Sequence, residues 1–527
     1  MEDFVQKKDR PDSLFSDFSG KIERHMSRIA TQELYEQYRQ QLRKIADVKY
    51  ATAVLQWDQE TYLPPKGADF RGQQVATLSE TAHEFFIAES LDNLLRELMD
   101  RTDLGVREKR NVELTLEDYS KARKFDAAFV RAMAEATQKS FHSWIQARKE
   151  NKFALFASDL QELVRLKREE ASILGYKKHP YDALLNDHDK GSDTEQLDRL
   201  FASLKQPLHD LLSKIMNRPR VDDSFLNQYF SRQQQWDFGM QVLKDLGYDL
   251  EAGRQDLAEH PFTINFNCRD VRITTRIDEN NLSNMLWSCI HEVGHALYEQ
   301  GLPETEYGLP LGEPASFSIH ESQSRLWENH VGRSFEFCEY YWPLLIQYFP
   351  QQLKGQNPES FFKAINKVEP SLIRTEADEL TYHFHVMIRY EIEKKLIEGS
   401  IPAKDVTAYW NEHYKEYLGI EVPDDKNGCL QDVHWSHGSF GYFPTYSQGS
   451  FYAAQIFHKA LTEIEVLPEN IRKGLHSPLL EWLRRNLHSL GRMYTSEELC
   501  LKISGENLNT GYFLNYLLAK YRNIYQL

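Results

Sequence analysis

The stretch HEVGHALYEQ, residues 291–300, places two histidines four residues apart in a segment with the apolar periodicity of a helix. Positions i and i+4 lie on one face of an α-helix, so His291 and His295 can both offer a ring nitrogen to one cation, with Glu292 beside them. Two imidazoles and a carboxylate suit zinc. With 19 histidines in the chain, the pattern arises by chance in roughly one such chain in twenty, so a third ligand is needed.

A second helical pattern downstream supplies a candidate for that ligand. The stretch SIHESQSRLWENHVG, residues 318–332, carries Glu321. A catalytic zinc site with two histidines and one glutamate takes its third ligand from such a neighbouring helix and leaves the fourth position for water. His320 would point about 100° away from Glu321 on the same helix, so Glu321 is the predicted ligand. The alternative is that Glu321 and Glu328 form a solvated helix face.

Helical periodicity extends over most of the chain. From residue 31 onward, apolar residues recur every three to four positions, which predicts helices. Residues 260–278 are the exception, because β-branched and aromatic residues flank NCRD as in a small hairpin. Residues 419–450 are rich in Gly, Pro, Asp and aromatic residues and predict a long loop. Residues 1–30 are predicted to be an N-terminal extension, partly disordered.

Composition excludes several classes of partner. Acidic residues outnumber basic ones, 79 to 63, and no cluster of Lys and Arg with interleaved aromatics is typical of a nucleic-acid footprint. No run of 18 apolar residues indicates a membrane span, and the N-terminus lacks the apolar core of a signal peptide. The five cysteines are scattered without a CxxC pair, which favours reduced thiols and a cytoplasmic location.

The two metal-ligand stretches also carry a family resemblance. HEVGHALYEQG followed by HESQSRLWEN resembles the carboxypeptidase Taq family of metallocarboxypeptidases. Further stretches fit the motifs of that family, namely HPF (260–262), DVRIT (270–274), IRTEAD (373–378), GCLQDVHW (428–435), VLQWDQETYLPP (54–65) and GSFGYFPTY (438–446). The resemblance covers residues 31–527. It implies a mainly α fold, a single large helical body with a deep active-site groove, a small β-hairpin near the metal, and a homodimer.

The residues and the resemblance together predict the activity. The resemblance implies a carboxypeptidase that releases single amino acids from peptides with a free C-terminus, with broad specificity. One zinc per chain would polarise the scissile carbonyl and activate water, and Glu292 would act as general base; Co²⁺ or Mn²⁺ can also occupy such a site. The alternatives are a peptidyl-dipeptidase or oligoendopeptidase of the same chemistry, and a non-catalytic, metal-stabilised peptide-binding protein.

Two arginines are candidates for contacts with the substrate. A guanidinium can bind both oxygens of a free C-terminal carboxylate, and Arg374 in the IRTEAD stretch is the predicted anchor. The alternative for Arg374 is an ion pair with Glu376 or Asp378. Arg272 in the DVRIT stretch is predicted to help close one end of the groove, and its alternative is a hairpin ion pair with Asp270.

Three residues near the Gly-rich stretch are candidates for stabilising the oxyanion that develops during peptide hydrolysis. A tyrosine hydroxyl or a histidine can donate a hydrogen bond to such a charge, which points to His434, Tyr442 and Tyr446 without separating them. A mobile loop carrying these groups could close over the substrate. Asp378 or Glu328 is predicted to orient a metal-binding imidazole.

Overall fold

The computed structural model describes residues 12–527, and α-helices dominate it, as predicted. The helices before the sheet are α1 (Asp12–Thr61), α2 (Ala68–Phe86), α3 (Glu89–Met99), α4 (Val106–Ala122), α5 (Ala127–Glu150), α6 (Ala157–Leu174), α7 (Pro180–His188), α8 (Thr194–Met216) and α9 (Arg232–Asp245). The helices after it are α10 (Leu282–Glu299), α11 (Phe317–Arg325), α12 (Phe335–Tyr348), α13 (Pro358–Ile365), α14 (Tyr382–Glu398), α15 (Val406–Leu418), α16 (Phe443–Glu463), α17 (Leu467–Arg472), α18 (Ser477–Asn486), α19 (Ser496–Ser504) and α20 (Gly511–Tyr525).

Only part of the predicted N-terminal extension can be compared with the structure. Residues 1–11 lie outside the described residues, and residues 12–30 form the first turns of α1. Helix α1 packs along α2 and α3 and contacts the sheet. With α3 and α4 it encloses a small hydrophobic cluster, whereas the main core extends from Trp144 in α5 to Tyr525 at the end of α20.

The small sheet confirms the predicted hairpin and adds a strand. Strands β2 (Thr263–Asn267) and β3 (Asp270–Thr275) pair antiparallel, with Thr263 opposite Ile273. Strand β1 (Gly253–Leu257), which the sequence analysis did not find, pairs parallel to β3 and gives the order β1-β3-β2. Strand β1 has no regular alternation of apolar residues, which explains why it was missed. The sheet packs on α10, so β2 lies beside the HEVGH segment.

Three helices meet at the centre of the molecule. Helix α10 begins where Asn281 accepts hydrogen bonds from the backbone N–H groups of Ser283 and Asn284, and most of its residues are buried. Helix α11 lies between α10 and α16. A Cβ at Gly294 in α10 would lie 2.6 Å from the Cα of Ser324, and a Cβ at Gly449 in α16 would lie 2.5 Å from the Cγ of Glu321. Both helices therefore approach α11 as closely as glycine permits.

The long loop predicted for residues 419–450 is shorter than expected. A short 3₁₀ turn, His434–His437, interrupts it, and α16 begins at Phe443. The prediction was wrong for residues 443–450 because Gly449 lies inside a helix, where it allows close packing instead of forming a turn. Tyr446 consequently lies on a buried helix and is not carried by a mobile loop.

A groove with a volume of about 1340 Å³ opens between these elements. Helices α10, α11 and α16 contribute to its walls, together with β2, the end of α7 and a 3₁₀ turn at Arg374–Glu376. The predicted deep groove is therefore present. Across residues 12–527, no helix is both long enough and apolar enough to cross a membrane.

The close packing of α16 on α11 leads to a test of stability. Replacing Gly449 with alanine is expected to lower the free energy of unfolding by about 1–3 kcal/mol, because the new methyl group would overlap Glu321. Urea unfolding followed by circular dichroism measures the change. The control is Gly72→Ala in α2, where a Cβ meets no atom within 4 Å and helix propensity favours alanine. A Gly449→Ala variant as stable as the unmodified protein would contradict this packing.

Candidate metal centre

The structure brings His291, His295 and Glu321 together on the groove wall. The Oε2 atom of Glu321 lies 3.6 Å from the Nε2 atom of His291 and 3.5 Å from that of His295. Two donors bound to one tetrahedral zinc at about 2.0–2.1 Å lie about 3.3–3.4 Å apart. The three side chains are therefore already spaced as ligands of a single ion.

Hydrogen bonds fix both imidazoles in the ligand orientation. The Nδ1 atom of His291 lies 3.0 Å from Glu328 Oε2, and that of His295 lies 3.1 Å from the carbonyl oxygen of His320. Because both partners are acceptors, each Nδ1 carries the hydrogen and each Nε2 faces Glu321. Burial, followed by the neighbouring His320, lowers the pKa of His295 to about 3, which keeps that ring neutral.

Glu328 lies in a segment where the type of helix changes. Helix α11 continues directly into a π-helical segment, Leu326–Gly332, and Glu328 is buried within it. Its carboxylate also accepts hydrogen bonds from Arg325 and Arg333. The predicted orienting role thus fits Glu328. It does not fit Asp378, whose carboxylate instead accepts hydrogen bonds at the start of α14 and from the backbone of Glu369.

The charges of this cluster fit a divalent cation. Glu292, Glu321 and Glu328 place three buried carboxyl groups beside two guanidinium groups, those of Arg325 and Arg333. Burial opposes ionisation of Glu321, yet Arg325 and the two histidines hold the pKa of its carboxyl well below its usual range. Two imidazole nitrogens and a carboxylate oxygen converge on one point, where a bound cation would interact favourably with all three. The donor set therefore fits a metal ion.

Glu292 lies beside the donor set. Its Oε2 accepts a hydrogen bond of 2.6 Å from the hydroxyl of Thr263 in β2, which leaves Oε1 as an acceptor on a residue that lines the groove. Burial raises the pKa of the Glu292 carboxyl. A carboxylate with this placement can take a proton from a group bound in the groove.

Arg374 lines the groove and is backed by a buried charge network. Its guanidinium donates two hydrogen bonds to Asp432 Oδ1 and one to the hydroxyl of Tyr382. Arg389, which is fully buried, binds the other carboxylate oxygen of Asp432. One carboxylate thus pairs with two guanidinium groups, which leaves one positive charge in excess, and two of the five N–H groups of Arg374 are left to bind an anion. The ion-pair partner is Asp432, and neither of the two partners named in the alternative is involved.

The structure separates the three candidate oxyanion donors. Tyr442 and Tyr446 line the groove, whereas His434 lies behind Tyr446, with its Nε2 3.1 Å from the Tyr446 hydroxyl. Burial, followed by the charge of Glu321, raises the pKa of Tyr442 to about 12, so its hydroxyl keeps its proton. Direct donation from His434 is not supported, because this half-buried ring is absent from the described residues that line the groove.

A buried glutamate fixes the segment that carries these groups. Glu393 in α14 accepts hydrogen bonds from the indole N–H of Trp435 and the backbone N–H of Gly441, at 2.7 and 2.9 Å, and also from the Tyr181 hydroxyl. Trp435 follows His434 and Gly441 precedes Tyr442, so Glu393 holds both ends of the segment.

Arg272 occupies the position that its alternative described. It binds both carboxylate oxygens of Asp270, at 2.8 and 2.9 Å, and its guanidinium lies between the rings of Trp57 and Phe266. It is absent from the described residues that line the groove. Its role at the end of the groove stays a prediction that this geometry does not support.

Several residues of the site were not predicted from the sequence. Thr263, Arg325, Tyr382 and Asp432 each contact a predicted site residue, and Arg389 contacts Asp432. Asp432 could have been found, because it stands in the GCLQDVHW stretch two residues before His434. Arg325 could have been found too, because it stands four residues after Glu321, the spacing of an ion pair along a helix. Thr263, Tyr382 and Arg389 had no such local signal.

Comparisons with known proteins identify the family of this chain. The family model described as carboxypeptidase Taq (M32) metallopeptidase matches residues 37–521. Thermostable carboxypeptidase 1 of Thermus thermophilus is 38% identical over 493 residues, 90% of this chain and 95% of that protein. The crystal structure of M32 carboxypeptidase from Deinococcus radiodurans R1 superposes with a TM-score of 0.92 at 36% identity, covering 94% of this chain and 100% of that chain. A solved structure described as "The Structure of CHT" is 56% identical, also with a TM-score of 0.92, and covers 93% and 99% of the two chains. The chain therefore belongs to the carboxypeptidase Taq (M32) family and is a metallocarboxypeptidase, a hydrolase of peptide bonds.

Proposed function

We propose that this protein is a zinc carboxypeptidase that removes single amino acids from the C-terminus of peptides, with Glu292 as general base. The observation that carries the proposal is the convergence of His291, His295 and Glu321 beside Glu292 in one groove. Lewis acidity, which polarises the scissile carbonyl and acidifies water, is the chemistry that a bound metal supplies here. Zinc is proposed over cobalt or manganese because two imidazoles and one carboxylate are a common catalytic zinc set.

Arg374 is proposed to anchor the substrate by its free carboxylate. Its two remaining N–H groups can bind both oxygens of that carboxylate in a bidentate contact. Asp432 and Tyr382 hold the guanidinium rigidly, so little side-chain freedom is lost on binding. Arg389, behind Asp432, keeps the net charge positive. A peptide anchored in this way would present its last peptide bond to the metal site.

Proton transfer is assigned to Glu292. The Thr263 hydroxyl holds Oε2, so Oε1 would accept a proton from the attacking water and pass it to the leaving amine. Tyr442 and Tyr446 would donate hydrogen bonds to the negative charge that develops on the substrate carbonyl oxygen. His434 would act through Tyr446 by accepting or donating at its hydroxyl.

Two alternatives differ in measurable ways. A dipeptidase or endopeptidase would bind the substrate carboxylate farther from the metal site or not at all, whereas Arg374 lines the same groove as the metal ligands. A non-catalytic binding protein would have no use for a buried carboxylate between two metal-binding histidines. Broad side-chain preference and a homodimer stay predictions from the family. A reducing compartment is proposed because all five cysteines are free thiols.

Replacing Glu292 with glutamine tests the general base. We expect kcat for a short peptide to fall by about 10²–10⁴-fold, the usual contribution of general acid–base catalysis, while zinc remains bound. Release of the C-terminal amino acid is followed by mass spectrometry, and zinc is measured in the same sample. Glu259→Gln is the control, because this exposed glutamate also lines the groove. Retained activity in Glu292→Gln would remove this residue from the mechanism.

Replacing Glu328 with glutamine tests the support of His291. We expect zinc affinity to fall by about 10–100-fold, the usual effect of removing a carboxylate that orients a metal-binding imidazole. Competition with a chelator measures the affinity. Asp378→Asn is the matched control, because this half-buried carboxylate does not contact either histidine and should affect stability alone. Equal affinity in Glu328→Gln and the unmodified protein would contradict the assignment.

Replacing Arg374 with lysine tests the anchor. Lysine keeps the charge opposite Asp432 but loses the planar fork, so kcat/KM for a peptide with a free C-terminus should fall by about 10–100-fold. The ratio of kcat/KM for the free peptide to that for the C-terminally amidated peptide should fall by the same factor. Arg276→Lys, at another arginine of the groove, is the control. Unchanged discrimination in Arg374→Lys would place the anchor elsewhere and favour endopeptidase activity.

A further inference from the structure

The groove continues beyond Arg374 into a side pocket. This side pocket has a volume of about 380 Å³ and shares Trp287, Arg333, Glu376 and Ala377 with the groove. Its size is near the lower end for small-ligand sites, which is adequate for one amino-acid side chain. Because Arg374 lies on the groove immediately before these residues, the side pocket is next to the position proposed for the substrate carboxylate.

The basic groups of the side pocket are already neutralised. Lys367 contacts the carboxylates of Asp223 and Glu369, at 3.2 and 2.6 Å. Arg333 binds Glu328, and its guanidinium stacks over the ring of Trp287. A negatively charged side chain entering the side pocket would therefore find its cations engaged.

The acidic groups include one that has no partner. Glu379 pairs with Lys520, and Asp378 accepts hydrogen bonds from Thr381. Glu376 is exposed to the groove, and within residues 12–527 its carboxylate makes no hydrogen bond or ion pair. Among the acidic residues that line the side pocket within residues 12–527, Glu376 is therefore the one whose carboxylate has neither a cation nor a hydrogen-bond donor.

The position of Glu376 relative to the anchor is set by a tight turn. Arg374 and Glu376 are the first and last residues of one 3₁₀ turn, which spans Arg374–Glu376. The rise of a 3₁₀ helix is about 2.0 Å per residue, so the two backbone positions are close. The Nζ atom of a lysine, four methylene groups from its Cα, can span such a distance while the carboxylate of the same residue stays on Arg374.

We propose that Glu376 is a specificity-determining residue that favours substrates with a lysine or arginine at the C-terminus. This inference rests on the proposed carboxypeptidase activity and assigns the preferred substrate class within it. Neutral side chains would still enter the side pocket, and aspartate or glutamate would be disfavoured by repulsion from Glu376. The preference for basic side chains is expected to be modest, because the carboxylate of Glu376 is accessible to water and ion pairs in water are weak.

Three peptides that differ only in a C-terminal Lys, Leu or Glu test the proposal. With the zinc-loaded protein at low salt, kcat/KM is expected to follow the order Lys, Leu, Glu, with Lys about two- to fivefold above Leu. In Glu376→Gln the ratio of Lys to Leu should fall to about one, and in Glu376→Lys the Glu peptide should become better than the Lys peptide. Raising the ionic strength should lower the ratio of kcat/KM for the Lys peptide to that for the Leu peptide in the unmodified protein, because salt screens the ion pair.

Glu117→Gln is the matched control. Glu117 also lines the groove and carries the same charge, but its carboxylate binds Lys190. The ratio of Lys to Leu should keep its original value in this variant. An unchanged ratio in Glu376→Gln would overturn the proposal, as would an equal loss of preference in both variants. These outcomes differ from failure of the carboxypeptidase assignment, in which none of the three peptides would lose its last residue.

Discussion

The close packing of α11 between α10 and α16 is the constraint on which the site depends. Gly294 and Gly449 remove the two side chains that would otherwise separate these helices. Glu321 on α11 is therefore brought within 3.6 Å of the two histidines on α10. A larger residue at either position would move the carboxylate relative to the imidazoles, and metal geometry tolerates errors of only a few tenths of an ångström.

Two layers of buried polar and charged groups support the site. Glu328 and the carbonyl of His320 set the histidine tautomers, while Asp432 and Arg389 hold Arg374. Isolated buried charges would be strongly destabilising, whereas paired and hydrogen-bonded ones are tolerated. In each layer a charge is left unbalanced toward the groove: negative at the proposed metal ligands and positive at Arg374. These two unbalanced charges match a divalent cation and a substrate carboxylate.

The sequence predicted the candidate metal ligands better than it predicted the elements and ion pairs around them. The convergence of His291, His295 and Glu321 was predictable, because helical spacing and ligand type constrain both residue and position. The hairpin was predictable from its β-branched runs, but β1 was not, since its register depends on pairing with β3. The helix at residues 443–450 was missed because glycine there serves packing, and sequence alone does not distinguish this from a turn. The Arg374–Asp432 pair joins residues 58 positions apart, which no local pattern reveals.

Anomalous diffraction at the zinc edge, from crystals of the active, zinc-loaded protein, tests the central claim most directly. The account predicts one strong peak per chain, about 2.0–2.2 Å from the Nε2 atoms of His291 and His295 and from Oε2 of Glu321. An active protein whose peak lies away from these three atoms, or that shows no peak there, would contradict the account.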